Sequence, residues 1–245
     1  MGASGFNGRV VGADGCRGGW FAIRLDQRDG WDMKVFKTVG DLWREWRDAA
    51  LILLDVPIGL PEGPQGRRCD EEARQLLGSR RSSVFSPPCR QALDEDSYSL
   101  ASMTNRRVTG RGLSQQAWAI GRKIKEVDAL VRADDLARRR IREVHPEVCF
   151  WAFGGGRPMQ FWKRTPGGYA ERLALLKRLH PGTDVIIEQA IKRFPRREVG
   201  RDDILDALAA ALTARCNSDR LVSVPESPQL DPCGLPMEMV YCAPA

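Results

Sequence analysis

Histidine is almost missing from this chain of 245 residues: only His145 and His180 occur. A multi-histidine metal site or a histidine relay is therefore excluded, and any bound metal must rest on carboxylate oxygen, the donor suited to magnesium or manganese. Cysteine is present (Cys16, Cys69, Cys89, Cys149, Cys216, Cys233 and Cys242), but no CxxC pair occurs and the number is odd. That argues against a zinc ribbon or a disulfide framework and leads to an expectation of reduced thiols. No apolar run reaches the length of a membrane span, and the first residues lack a basic segment followed by an apolar stretch, so a cytoplasmic protein with no membrane contact is expected. Between Gly59 and Gly112 the aromatics are Phe85 and Tyr98 alone, too few there to suggest recognition of single strands by stacking.

What the chain does carry is arginine. The formal charge is +6, from 38 Lys and Arg against 32 Asp and Glu. A planar guanidinium suits phosphate better than an ammonium does, so an anionic partner is favoured. Arginine on ordinary solvated faces produces the same composition. With 42% hydrophobic and 29% charged residues, the chain is a folded globular protein with a sizeable core. Its length lies near the point where one core stops growing, and one domain over residues 9–216 with a large insertion is the organisation expected.

Val10 to Asp14, Trp20 to Leu25, and the alternation of Trp31, Met33 and Val35 with Asp32 and Lys34 predict three antiparallel strands. Thr38 with Asp41 resembles a capping box ahead of a helix presenting Leu42, Trp43, Trp46 and Ala50. Leu51 to Val56 is apolar apart from Asp55 and closed by Pro57, the mark of a strand buried on both faces. Residues 59–112 loosen into Pro, Gly and Ser clusters around a helix near Asp70 to Leu77, and are read as an insertion after the fourth strand. Ile120, Ile124, Val127 and Val131 repeat at helical spacing, and Ile141 to Phe150 is predicted to be a strand on which Glu143, His145 and Glu147 share a face. Two short helices follow, the first stopped by Pro181 and Gly182, the second running from Val185 to Ile191. A longer helix from about Asp202 to Arg215 is apolar nearly all round, with Asp202 a candidate N-cap. The tail from Asn217, with Pro225, Pro228, Pro232, Pro236 and Pro244, is expected to be irregular. The order predicts an α/β protein with a mixed five-stranded sheet flanked by helices.

Four aspartates stand out. Asp14 ends the first strand between glycines, which also fits an ordinary turn aspartate. Asp55, inside an apolar strand, must be desolvated, paired or metal-bound, the other reading being a buried structural hydrogen bond. Asp203 and Asp206 sit three apart on one helix face, where acids also complement a helix N-terminus. If the first and fourth strands are neighbours and the last helix crosses them, the four carboxylates converge. Bare acids at that range repel, and divalent cations remove the penalty. Two such metals suffice for in-line displacement at a phosphodiester. Glu143 and Glu147 are candidates for a further ligand or a water-positioning base. Arg67, Arg68, Arg74, Arg80, Arg81, Ser82 and Ser83 form the candidate phosphate-contacting surface, with His145 and Lys163 as further substrate contacts.

The blocks Gly12 to Trp20, Leu54 to Leu60, Arg67 to Asp70, Arg81 to Phe85, Glu143 to Glu147 and Asp202 to Ala207, taken in order, resemble the signature blocks of the domain family DUF429. The resemblance implies a nuclease of the ribonuclease H-like fold that acts on DNA or RNA. The last block is also similar to the helix of Holliday-junction resolvases, where two aspartates three apart precede Ala-Leu-Ala. By that likeness Asp14, Asp55, Asp203 and Asp206 hold Mg²⁺ or Mn²⁺. Resolvases carry glutamate on the fourth strand where this chain has the shorter Asp55, and they work as homodimers on a two-fold substrate. Two other readings stay open: an actin-like ATPase or sugar kinase, which shares the fold and a Gly-rich first hairpin, and a non-catalytic nucleic-acid- or protein-binding module.

Overall fold

The computed structural model describes residues 8–244. Its centre is a five-stranded sheet of order β3-β2-β1-β4-β5. Strand β1 (Val10–Cys16) pairs antiparallel with β2 (Gly19–Leu25), and β2 with β3 (Trp31–Phe36). The capping box at Thr38 and Asp41 is present and starts α1 (Val39–Glu45). The chain then returns as β4 (Leu51–Leu54), parallel to β1 with Val10 opposite Leu51 and Ala13 opposite Leu54. The mixed sheet and its strand order are those of the ribonuclease H-like fold, as the sequence predicts.

The insertion contains α2 (Arg68–Leu77) and α3 (Tyr98–Thr109), separated by 3-10 turns at Gly78–Ser83 and Arg90–Asp94. Helices α4 (Gln115–Ala119), α5 (Gly121–Ala133) and α6 (Asp135–Arg140) lead into β5 (Ile141–Glu143), which is parallel to β4 with Glu143 opposite Leu54. The strand predicted over Ile141 to Phe150 stops there. His145 is the last extended residue, Pro146 takes the first helical position, and α7 (Pro146–Phe153) follows. Proline is pre-set for that position and has no N–H to waste, so Glu143, His145 and Glu147 do not share a strand face.

Helices α8 (Pro166–Leu179), α9 (Thr183–Arg193) and α10 (Arg201–Ala214) complete the layer on one side of the sheet, where Phe21, Ile23, Leu53, Leu176, Ile204 and Leu208 share a core. On the other side Trp20, Ile52 and Leu54 pack against Trp46, Ile124 and Val127. Helix α10 is buried along nearly its whole length and lies directly on β1. A Cβ on Gly12 would fall 2.0 Å from the Ala211 nitrogen and 2.4 Å from the Ala207 oxygen. Only glycine below and alanines above permit that backbone approach. The N-cap of α10 is Gly200 rather than Asp202.

The tail is not irregular. Strands β6 (Leu221–Leu230) and β7 (Pro236–Cys242) form an antiparallel hairpin with a register shift between Val224 and Gln229. Proline is tolerated where a strand edge needs no donor, and a two-stranded ribbon has two such edges. The hairpin is fastened by Arg142 to Glu238 (2.8 Å for each of two hydrogen bonds), by the Leu60 N–H to Asp231 (3.1 Å), and by a disulfide between Cys216 and Cys242. These two cysteines depart from the expected reduced state; Cys16, Cys69, Cys89, Cys149 and Cys233 are free thiols. Among the described residues no helix is long and apolar enough to cross a membrane.

Candidate metal centre

Parallel pairing of β1 with β4 puts the same ends of both strands side by side. The ladder runs one step past β4, with the Asp55 N–H donating to the Ala13 oxygen at 3.0 Å. Asp14 and Asp55 therefore emerge next to each other, and the close seat of α10 on Gly12 lowers Asp206 onto them from above. One carboxylate oxygen from each of Asp14, Asp55 and Asp206 lies within 4.8 Å of the other two. Asp14 and Asp206 are buried and Asp55 is half-buried.

Three carboxyls in so small a volume cannot all ionise at the ordinary cost. Burial raises the Asp14 carboxyl well above its usual range, and Asp55 and Asp206 push it the same way. Burial likewise lifts Asp55 to about 6, against an attraction from His145 and with a repulsion from Asp206. Lys163 reaches into the cluster: its Nζ donates to Asp206 Oδ2 at 2.8 Å, and its own pKa is pushed up chiefly by Asp206. The donor set is hard oxygen, crowded and short of positive charge, which fits a divalent cation.

Asp203 stands apart from the triad. Its Oδ2 accepts the Gly200 N–H at 2.8 Å at the start of α10, and it lines a neighbouring cleft. Burial raises its pKa, and the Gly200 hydrogen bond opposes the rise. Glu143 is buried at the wall of the cavity that Asp14 and Asp55 also line, where it accepts the Ile58 N–H at 2.7 Å and is paired with Arg67, itself paired with Asp70. Glu147 is buried against Arg172 at 2.5 Å, and its Oε2 has no hydrogen-bond partner. His145 lies 3.3 Å by Nε2 from the Ser83 oxygen, with Nδ1 buried and unpartnered. His145 lines a cavity of about 130 Å³ together with Asp14, Asp55, Gln116 and Lys123.

The arginines singled out in the insertion do not form one surface. Arg67 is fully buried in the Glu143 ion pair. Arg74 is held by the Val84 oxygen and Ser86 Oγ at 3.0 Å each, and Arg80 is buried against the Met159 and Gln160 oxygens. Arg68 is exposed and pairs with Glu72 at 2.9 Å, while Ser83 Oγ donates to the Arg80 oxygen. Arg81 and Ser82 are exposed. The cationic cleft lies elsewhere, between the β1–β2 turn and the starts of α8 and α10, with a volume of about 990 Å³. It is lined by Arg17, Lys163, Arg164, Arg196, Arg197 and Arg201, and shares Lys163 and Asp203 with the surroundings of the triad. Of these, only Lys163 is a candidate from the sequence. The others come from three separate segments, and the visible signs are small: Arg17 at the tip of a Gly-rich hairpin and an Arg pair between Pro195 and Gly200.

A family model described as "Protein of unknown function (DUF429)" matches residues 12–230. No curated protein and no solved structure matches the chain.

Proposed function

The chain belongs to the DUF429 family, and from that footing we propose that it is a divalent-metal-dependent hydrolase of phosphodiesters in nucleic acid. One observation carries the reading: Asp14, Asp55 and Asp206 reach a common point from two neighbouring strands and a crossing helix. A carboxylate triad in which burial raises the proton affinity of Asp14 and Asp55, with Lys163 as counter-charge, is expensive to maintain unless it holds a cation. Such a cation, when bound, activates water and stabilises charge on the oxygens of a phosphodiester undergoing displacement.

The chain's own residues supply the rest. Asp14, Asp55 and Asp206 would hold the metal, while Lys163, already at the triad, offers an ammonium to a phosphate oxygen. His145, half-buried beside Asp55 with an unpartnered Nδ1, is placed to orient a water by hydrogen bonding. Glu143, at the wall of the same cavity, would support the site through its two internal partners, Ile58 and Arg67.

The test is cleavage of labelled single-stranded, duplex and branched DNA, hairpin RNA and an RNA/DNA hybrid, with Mn²⁺ or Mg²⁺, by wild type and by Asp14→Asn and Asp206→Asn purified identically. Metal-dependent cleavage lost in both variants is the expected result. A well-folded wild type that binds Mn²⁺ and cuts none of the panel overturns the assignment to nucleic acid; absence of Mn²⁺ binding overturns the metal site itself.

A further inference from the structure

Two features beside the triad are unexplained by metal binding. The first is the cleft. None of Arg17, Arg196, Arg197 and Arg201 has a side-chain hydrogen bond or ion pair among the described residues, and all four are exposed. Arg164 is engaged only loosely, at 3.6 Å from Asp202. Against these and Lys163, the acids on the lining are Asp202 and Asp203. Unpaired guanidinium groups gathered along one concavity repel one another and favour a polyanion.

The second is a pair of large aromatics at the adjoining loop. Phe161 is 52% and Trp162 59% exposed, and Trp162 immediately precedes Lys163. The backbone that presents them is fixed on every side. Glu171 accepts the Gln160 and Phe161 N–H groups at 2.8 and 3.1 Å, Arg172 donates to the Phe161 oxygen at 3.2 Å, and Thr165 donates through N and Oγ1 to the Trp162 oxygen at 2.9 and 2.8 Å. One face of the Trp162 ring rests on the Arg80 guanidinium, 4.4 Å from the ring centre. Arg80 in turn is anchored on the Met159 and Gln160 oxygens. An indole held this firmly while remaining mostly in solvent offers a ready flat surface. In a duplex the faces of the bases are already stacked on each other; an unpaired base has a face to offer, and stacking on an aromatic ring is indifferent to which base it is.

We infer that this cleft is the track for the backbone of a single-stranded nucleic acid, and that Trp162 stacks on one of its unpaired bases next to the cleavage point. The inference deepens the hydrolase reading and rests on it for the meaning of the cleavage point. The arginines read phosphate and carry no sequence preference. Lys163 joins track to triad, since the same ammonium lines the cleft and touches Asp206.

Binding is the test, measured in EDTA so that turnover does not enter: fluorescence anisotropy of the full chain with labelled single-stranded and duplex DNA and RNA of one sequence, over a range of salt concentrations. Single strands are expected to bind more tightly than duplex. Arg196→Ala/Arg197→Ala, at exposed positions that should fold normally, should reduce the slope of log affinity against log salt for single strands by about 1.4, at about 0.7 for each phosphate no longer neutralised. Trp162→Ala should weaken single-strand binding by about five- to 150-fold and leave duplex binding unchanged, while Trp162→Phe should retain most of it. An unchanged salt slope in the arginine variant, equal weakening of single-strand and duplex binding in Trp162→Ala, or duplex preferred by wild type would each overturn the inference. Failure of the hydrolase reading looks different: single strands bound with these dependences but never cut. The converse, metal-dependent cutting without a role for the cleft, removes the track and leaves the hydrolase.

Discussion

Replacing Asp55 with asparagine should make the metal-free protein more stable, although it removes one carboxylate of the triad. Burial, with a contribution from Asp206, holds the Asp55 carboxyl at about 6 against an ordinary 3.8. At about 1.36 kcal/mol per pH unit, the difference corresponds to roughly 3 kcal/mol. Between about pH 4 and pH 6 the folded chain keeps a proton at Asp55 that the unfolded chain has released, so stability falls as pH rises through that window. Above about pH 6 the full cost of the buried carboxylate is present, and below about pH 4 it vanishes. A neutral asparagine side chain carries no such cost. Near neutral pH in EDTA, Asp55→Asn should therefore gain up to about 3 kcal/mol, or about 6–12 °C in Tm for a chain of this size. Manganese closes the gap: at about 100 times its Kd it should stabilise wild type by about 2.7 kcal/mol and the variant little or not at all, and at about 1,000 times its Kd the gain of about 4.1 kcal/mol reverses the ranking. Thermal unfolding of both proteins from pH 4 to pH 8, with EDTA and with Mn²⁺, checks the whole pattern. A variant less stable than wild type in EDTA near neutral pH, or an equal Mn²⁺ gain in both proteins, would refute the electrostatic reasoning.

Glu143→Gln should lower stability by up to about 3–5 kcal/mol in urea unfolding, equally with and without Mn²⁺, because it removes one of the two buried carboxylates paired with Arg67, leaving Asp70 alone, rather than altering the metal site. Asp206→Asn should abolish Mn²⁺ binding in isothermal titration calorimetry. Asp203→Asn should retain it and change stability by only about 0.3–1 kcal/mol, the worth of an acid at a helix N-terminus. Reducing the Cys216–Cys242 bridge reopens a loop with a sequence separation of 26, and the chain-entropy model puts the loss at about 3.5 kcal/mol; a urea midpoint that does not move under reductant would show that the hairpin is held by its ion pairs alone.

The parts of this molecule that can be read from the sequence are those set by local pattern. Leu51 to Leu54 announce a strand buried on both faces, and the single acid after it marks one limb of the triad. Thr38 and Asp41 announce a helix start by hydrogen-bond chemistry that needs no tertiary context. The segment after Ile141 misleads because alternation of Glu143, His145 and Glu147 mimics a strand, whereas one residue, Pro146, decides for a helix. The tail misleads because its prolines speak against strands unless they fall where the hairpin's edges need no donor, and which edge is left unpaired is a tertiary fact. The guanidinium groups of Arg67 and Arg80 look like surface charge and are internal struts, since nothing in a run of residues tells which arginines will meet buried carboxylates or carbonyls. The cleft arginines are invisible for the opposite reason: Arg17, Arg164 and Arg196 are brought together only by the crossing of α8 and α10 over the sheet.

The contact between Gly12 and the Ala207 and Ala211 backbone sits two residues from Asp14 and one from Asp206. The gap between those carboxylates is consequently set by main chain resting on main chain and not by the reach of long, adaptable side chains. Such a site is a gauge of fixed bore. Variation that widens the bore must first push α10 off the sheet, so the spacing of the triad cannot drift without stability drifting with it.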